Sequence, residues 1–392
     1  MTHDKVLMAS ALLILCLSLL TKDVKAQESG SNHIRSRMRE RRFLPFFTVV
    51  QFPNQDCKAL TGDNGTCMSQ YECKASGGIP SGICANNFGV CCLFMVTCGE
   101  TSNRNGSYFV NKNYPAPNDE TGSCQITLRK AHPDVCQYRI DFIQFSLSGP
   151  EQVNHLCNSD QFLVSGSSPV PPICGKNTGS HIYVDAGDLG LPVMLTIITS
   201  GASFSRNWKM RISQIPCNSN MKAEDGCLQY YSGVSGQIKS FNYEPNSGLQ
   251  LSNQDYTMCI RSERNFCSIQ YSACPDLVNN RSHAFTLTSN TLGQNSVPSN
   301  VGSSCNSDFL IIPCVTSSQS RSCVDRICGG TMSVDSTTNE AVLTSNVKPF
   351  RISFHSNNVE APNDMGNRGF CIEYVQQPCT NNLVQYINGN NF

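Results

Sequence analysis

Cys157-Asn158-Ser159-Asp160-Gln161-Phe162-Leu163-Val164 returns later in the chain as Cys305-Asn306-Ser307-Asp308-Phe309-Leu310-Ile311-Ile312. Each copy passes from a cysteine through a turn-forming Asn-Ser-Asp into a strand-length apolar run. Downstream, each meets Ile-Cys-Gly, at Ile173-Cys174-Gly175 and Ile327-Cys328-Gly329. Each half closes on Pro-Cys, at Pro216-Cys217 and Pro378-Cys379. A repeat of this length means two copies of one domain, not a solenoid of short units. The copies run from Cys98 to Cys217 and from Cys227 to Cys379.

Both copies read as β. Gln137-Tyr138-Arg139-Ile140-Asp141-Phe142 and Gln237-Ile238-Lys239-Ser240-Phe241-Asn242-Tyr243 alternate apolar and polar residues, the period of a half-buried strand. Residues 194–198 and 350–354 are short β-branched or aromatic runs, punctuated by Gly, Pro, Asn and Ser. No window carries a sustained helical stripe. The expected fold is all-β, with one antiparallel β-sandwich per copy. The second copy is lengthened by insertions around Cys274–Arg281 and Cys314–Cys323.

The start of the chain reads as a secretory signal. Lys5 precedes an apolar core from Val6 to Leu20, and Val24-Lys25-Ala26 offers a cleavage site after Ala26. That core is too short for a membrane span of about 20 residues, and no later stretch qualifies. Residues 27–42 are polar and basic, a linker or pro-segment. They end in Arg39-Glu40-Arg41-Arg42, a pattern suited to convertase cleavage after Arg42. An uncleaved basic arm would begin at Gln27 on N-terminal sequencing; the cleaved protein would begin at Phe43. The tail, 380–392, is Asn-rich and is expected to be disordered. The chain is thus expected to be secreted, with a cysteine module over 43–97 and repeats over 98–217 and 218–379.

Cysteine usage agrees. The chain has 23 Cys; removal of Cys16 with the signal leaves an even number, as full pairing in an oxidising compartment requires. No Cys-x2-Cys pair suggests zinc. Six of these residues, Cys57, Cys67, Cys73, Cys84, Cys91 and Cys92, crowd a segment too short to enclose much core, so covalent staples must hold it. Adjacent Cys91 and Cys92 must reach two different places. Asn64, Asn105 and Asn280 head Asn-x-Ser/Thr sequons, which are candidate glycan acceptors in a secreted chain.

Charge gives no reason to expect a nucleic acid partner. Residues 1–42 carry 8 of the 29 basic and 4 of the 29 acidic residues. The remainder holds 21 basic and 25 acidic residues, a net of −4. Catalytic motifs are missing too. There is no Gly-Asp-Ser-Gly-Gly, no Ala-Ala-His-Cys and no His-Glu-x-x-His, and two of the seven His, His3 and His33, fall before the cysteine module. The expectation is a non-enzymatic protein without a cofactor.

The order of motifs resembles a CUB domain, twice. The first copy offers Cys98-Gly99, Asn113-Tyr114-Pro115, Cys124, Phe142-x-x-Phe145-x-Leu147, Cys157 to Asp160 and Cys174-Gly175. The second offers Cys227, Gly236-x-Ile238, Cys259, Phe285-x-Leu287, Cys305 to Asp308, Cys328-Gly329 and Gly369-Phe370-Cys371-Ile372-Glu373-Tyr374. The six-cysteine segment resembles an arthropod clip domain through Gly65-Thr66-Cys67, Cys73 and Val90-Cys91-Cys92. The whole layout is similar to insect secreted proteins that carry CUB domains.

The CUB resemblance implies Cys98–Cys124, Cys157–Cys174, Cys227–Cys259 and Cys305–Cys328. By exclusion the rest pair as Cys136–Cys217, Cys267–Cys379, Cys314–Cys323 and Cys274–Cys371. The clip pattern implies Cys57–Cys91, Cys67–Cys84 and Cys73–Cys92.

Many CUB domains bind one Ca²⁺ through three carboxylates. Asp160 and Asp308 match the middle ligand. The Glu position is Ser148 in the first copy and Thr288-Ser289 in the second, while the late Asp position reads Ser200-Gly201 and Ser356-Asn357. With one carboxylate of three in each, the expectation is a turn residue that satisfies backbone N–H groups, and no metal; Asp185 and Asp188 could rescue a site in the first copy. Trp208, the single Trp, suits core packing better than a surface anchor. Function is expected to be extracellular binding of a protein or glycan. One alternative is a regulator or inactive homologue in a protease cascade, implied by the clip-like module; another is a salivary or venom effector.

Overall fold

The computed structural model describes residues 51–187, 191–276, 284–288, 297–320, 322–360 and 366–379. Ala26, Arg42, Asp188, Asn280 and Ser289 lie outside the described residues. The chain is nearly all β.

The N-terminal cysteine module is a four-stranded sheet of β1 (Asp56–Lys58), β2 (Asn64–Met68), β3 (Ile79–Cys84) and β4 (Gly89–Leu93), ordered β1-β2-β4-β3. Between β2 and β3 lies α1 (Gln70–Ala75), a single short helix. Ser69 starts it: its hydroxyl accepts from the Glu72 N–H while Glu72 reaches back to the Ser69 N–H, a reciprocal cap. Cys57–Cys91, Cys67–Cys84 and Cys73–Cys92 staple the sheet, with Cα separations of 5.7, 5.9 and 5.7 Å. Neighbours Cys91 and Cys92 thus reach to opposite sides of the module.

The first sandwich contains β5 (Met95–Val96), β6 (Thr101–Ser102), β7 (Ser107–Val110), β8 (Gly122–Leu128), β9 (Val135–Ser146), β10 (Gln161–Ser165), β11 (His181–Asp185), β12 (Val193–Thr199) and β13 (Asn207–Pro216). One layer is β10-β12-β8-β6 and the other β11-β9-β13-β7-β5. Alternation does the sorting. Ile140 and Phe142 on β9, and Met210 and Ile212 on β13, turn inward and are fully buried. They meet Ile126, Leu195 and Ile197 from the facing layer. Burying side chains of this size stabilises the fold by about 1.5–3 kcal/mol each.

The second sandwich contains β14 (Cys227–Tyr231), β15 (Ser235–Lys239), β16 (Asp255–Ile260), β17 (Phe266–Ala273), β18 (Phe285–Thr286), β19 (Ser299–Val301), β20 (Phe309–Thr316), β21 (Val324–Gly329), β22 (Leu343–Ser345), β23 (Phe350–His355) and β24 (Gly369–Pro378). Its two layers join into one hydrogen-bonded sheet because β22 pairs with both β17 and β20. The insertion at Cys314–Cys323 is the tip of the β20–β21 hairpin. Pairing is antiparallel except for three short edge contacts, β5–β7, β6–β8 and β14–β16, which are parallel.

Eight bridges close within the sandwiches. Cys98–Cys124, Cys136–Cys217 and Cys157–Cys174 lie in the first. Cys227–Cys259, Cys267–Cys379, Cys274–Cys371, Cys305–Cys328 and Cys314–Cys323 lie in the second. Every bridge begins and ends inside one module or sandwich.

Candidate functional site

The two Cys-Asn-Ser-Asp turns place their aspartates in different surroundings. Asp160 is fully buried. It accepts backbone N–H bonds from Ser148 at 2.7 Å and Ser200 at 3.2 Å. It also meets Arg206 in a two-point contact, Nε to Oδ2 at 2.7 Å and Nη2 to Oδ1 at 3.0 Å. Arg206 further donates to the carbonyls of Ser200 and Asp119. A planar guanidinium suits a carboxylate in this bidentate way, so a protein cation occupies the charge-balancing place beside Asp160. No sequence motif marks Arg206. It follows a Ser-rich loop, where a solvent-exposed arginine would read identically.

Asp308 meets amide donors in the corresponding corner. Its Oδ1 accepts from the Asn357 N–H at 2.8 Å and its Oδ2 from the Gln250 amide at 3.0 Å. The same amide donates to Glu360 Oε1 at 3.0 Å, while Asn367 donates to Glu360 Oε2 at 3.3 Å. The second corner therefore holds two carboxylates, where sequence reading counted one. Glu360 lies just beyond Ser356-Asn357, the late acidic position, and a shift of a few residues hid it.

His155 completes this corner from the other sandwich. Its Nδ1 lies 3.6 Å from Glu360 Oε1, and both side chains are fully buried. The backbone reaches there because His155 takes φ 55°, letting its carbonyl accept from the Ser252 N–H. Asn154 accepts from the Ser252 hydroxyl at 2.5 Å.

The rest of the contact between the sandwiches is equally polar and close. Gly175 of the first Ile-Cys-Gly has φ 76°, and a Cβ there would stand 2.0 Å from Asn242 Oδ1. Asn242 Oδ1 instead accepts from the Lys176 N–H, and the Asn242 N–H donates to Asn177. Gly329, the matching glycine, has φ 96° and faces the Pro298 carbonyl. The repeated glycine is thus required by backbone geometry in both copies. Nearby, His181 Nε2 sits 3.2 Å from the Tyr230 nitrogen and 3.0 Å from its carbonyl oxygen. Within the second repeat, Arg351 pairs with Glu224 at 2.7 Å.

Other residues singled out in the sequence fall as follows. Asp185 ends β11, in the layer opposite to the β10 strand that follows Asp160, and accepts from Gln137 at 3.3 Å. It therefore does not supplement the Asp160 corner, because strand alternation and layering carry it to the cleft between the sandwiches. Trp208 is buried, edge-on to Phe109 at 5.9 Å; it is core. Asn105 is exposed, with its Oδ1 accepting from the Gln214 N–H. Asn64 is half-buried on β2, its backbone held by the Tyr108 hydroxyl. Among the described residues, no cluster of three or more His, Cys, Asp or Glu is arranged to hold a metal ion, and no helix is long and apolar enough to cross a membrane.

Residues 224–377 match the family model of the animal CUB domain. This stretch is a CUB domain. CUB domains are extracellular protein-interaction modules, and the Asp308 corner belongs to this one. The CUB1-EGF-CUB2 domains of rat MASP-1 are similar over 72% of this chain and 99% of theirs, at 13% identity and a TM-score of 0.25. The corresponding domains of human MASP-1/3 align at 16% identity over 70% of this chain and 100% of theirs, with a TM-score of 0.22. The full extracellular region of zebrafish Gpr126/Adgrg6 aligns at 10% identity over 71% of this chain and 36% of that one, with a TM-score of 0.25. No curated protein matches the chain.

Proposed function

We propose that this chain is a secreted, non-enzymatic protein that binds an extracellular partner through two CUB sandwiches held in a fixed mutual arrangement. The observation that carries this reading is the CUB domain at 224–377 joined by close polar contacts to a sandwich with the same Cys-Asn-Ser-Asp and Ile-Cys-Gly turns. The first sandwich is read as a second CUB domain on those turns and on the matching bridge across each of them. Fully buried charges at the corners argue for structural roles there, leaving the outer faces for recognition. The partner class is protein, or glycan on protein.

A second reading, a regulator in an extracellular protease cascade, is favoured by one observation. The N-terminal module pairs its cysteines first to fifth, second to fourth and third to sixth, as the clip resemblance implies. Photo-crosslinking of the secreted protein in native extracellular fluid, followed by mass spectrometry, tests both. Recovery of a discrete receptor or matrix protein supports the first reading. A protease zymogen in its place supports the second. Turnover of a substrate by the purified chain would overturn both.

A further inference from the structure

A cavity of about 500 Å³ lies between the cysteine module and the outer face of the first sandwich. Strand alternation decides what reaches it. Inward residues of β9 and β13 fill the core, so Asp141, Ile143 and Arg211 are sent to the outer face. The module covers part of that face through Asp63, whose carboxylate takes Lys209 Nζ at 2.6 Å, and through the Tyr108 contact with Asn64. Beside this docking point the face remains open as the cavity.

Four charged side chains line the cavity: Lys58, Arg211, Asp63 and Asp141. The two acids are already neutralised from behind. Asp63 holds Lys209, and Asp141 holds Arg139 at 2.8 Å. Among the described residues, neither Lys58 nor Arg211 has a carboxylate within salt-bridge distance. Arg211 Nε is shielded from water and meets no acceptor. Counting the two cations behind the acids, the cavity carries an excess of two positive charges. Its wall also includes Ile143, a large aliphatic residue left 43% exposed.

We infer that this cavity receives an acidic side chain of a protein partner, a Glu or Asp flanked by an aliphatic residue. The carboxylate would meet the Arg211 guanidinium, whose fork accommodates it at two points, with Lys58 adding attraction at the rim. The aliphatic neighbour would cover Ile143. A peptide is favoured over a sulfated glycan on two grounds. Only two cations without acidic partners line the cavity, whereas a polysulfated chain calls for an extended basic track. The apolar wall would gain nothing from a sugar sulfate. This inference deepens the binding reading above by naming one surface and one ligand chemistry.

The test is ligand-observed saturation-transfer NMR on the full secreted chain after removal of N-glycans, because Asn64 shares the cavity wall. The probes are acetyl-Leu-Glu-Leu-amide, acetyl-Leu-Gln-Leu-amide and a heparin hexasaccharide, at low salt. The Glu peptide is expected to bind about tenfold more tightly than the Gln peptide, the factor for one charge-assisted contact. Arg211→Met should abolish that preference. Lys58→Met, at an exposed position that the fold does not need, should reduce it about threefold, the size of a partly screened attraction. Equal binding of the two peptides, no peptide binding, or a preference that survives Arg211→Met would overturn the inference. Heparin binding lost in both variants, without peptide binding, would assign the cavity to sulfated glycan and overturn it too. Crosslinking to a protein partner that proceeds unchanged in Arg211→Met would sink this site alone and leave the wider binding function standing.

Discussion

Arg206 and Asp160 form a bidentate ion pair with neither side chain exposed, Nε to Oδ2 at 2.7 Å and Nη2 to Oδ1 at 3.0 Å. Removing one partner strands the other charge away from water. Asp160→Ala should therefore destabilise the protein by about 3–5 kcal/mol, read as a lower urea midpoint. Replacing both, as Asp160→Leu with Arg206→Met, should recover much of that loss. A double variant no better than the single one would mean that the backbone N–H bonds from Ser148 and Ser200, not the pair, hold this turn.

Calcium should be neutral for stability. At Asp160 a guanidinium already balances the charge, and at Asp308 the carboxylate oxygens are occupied by the Asn357 N–H and the Gln250 amide. Melting temperatures in millimolar Ca²⁺ and in chelator should agree to within about 1 °C, well below the shift that binding at a hundredfold excess over Kd would give. A rise of several degrees that disappears in Asp308→Ala would show a functional cation site.

Acid should weaken the contact between the sandwiches through His181. Burial pulls its pKa down to about 4, and Arg139 adds to the depression against the opposing effects of Asp141 and Tyr230. Above the unfolded value of about 6.5 the ring is neutral in both states and contributes no pH dependence. Between about 6.5 and 4 the unfolded chain takes up a proton that the folded one refuses, so stability falls as pH falls, by roughly 1.4 kcal/mol per unit. His181→Phe should flatten the stability profile across this window. An unchanged slope in the variant would assign the acid sensitivity elsewhere.

Glu340 should act with the opposite sign. Burial raises its pKa to about 8, although the Met332 N–H at 3.0 Å favours the carboxylate. Stability from the protonated form is full below the unfolded value near 4.5 and is lost as pH rises through 8. Glu340→Gln keeps an acceptor for Met332 and cannot ionise. It should stabilise the protein at pH 8 by about 2 kcal/mol or more, with little effect at pH 4. A pH-independent difference in thermal unfolding would contradict the assignment.

What could be read from the sequence was local. The strands over 137–142 and 237–239 declare themselves by alternation, and the repeated turns share Cys for the bridge across them, Asp to accept backbone N–H bonds and Gly for its positive φ. The Gly175 requirement shows the limit of such reading. Its positive φ is a property of the turn, but its closeness to Asn242 depends on the other sandwich. Arg206, His155, Glu360 and Gln250 were invisible for the same reason. Each is polar and would read as surface, and each is buried only by a partner tens to hundreds of residues away. The β22 link between layers and the parallel edge pairings were equally hidden, since pairing partner and direction are set by how layers meet. Lys209–Asp63, 146 residues apart, gave no sequence sign that the cysteine module and the first sandwich dock.

Because every disulfide closes within its own module or sandwich, oxidation can proceed vectorially. On the proposed secretory route, a nascent chain would have all six cysteines of the first set available before Cys98 emerges. It would then have the full second set before Cys227 follows. No native thiol must wait for a partner still on the ribosome in a later unit. Scrambling across units is disfavoured by the order of emergence itself, so each part can mature before the polar contacts between the sandwiches are made.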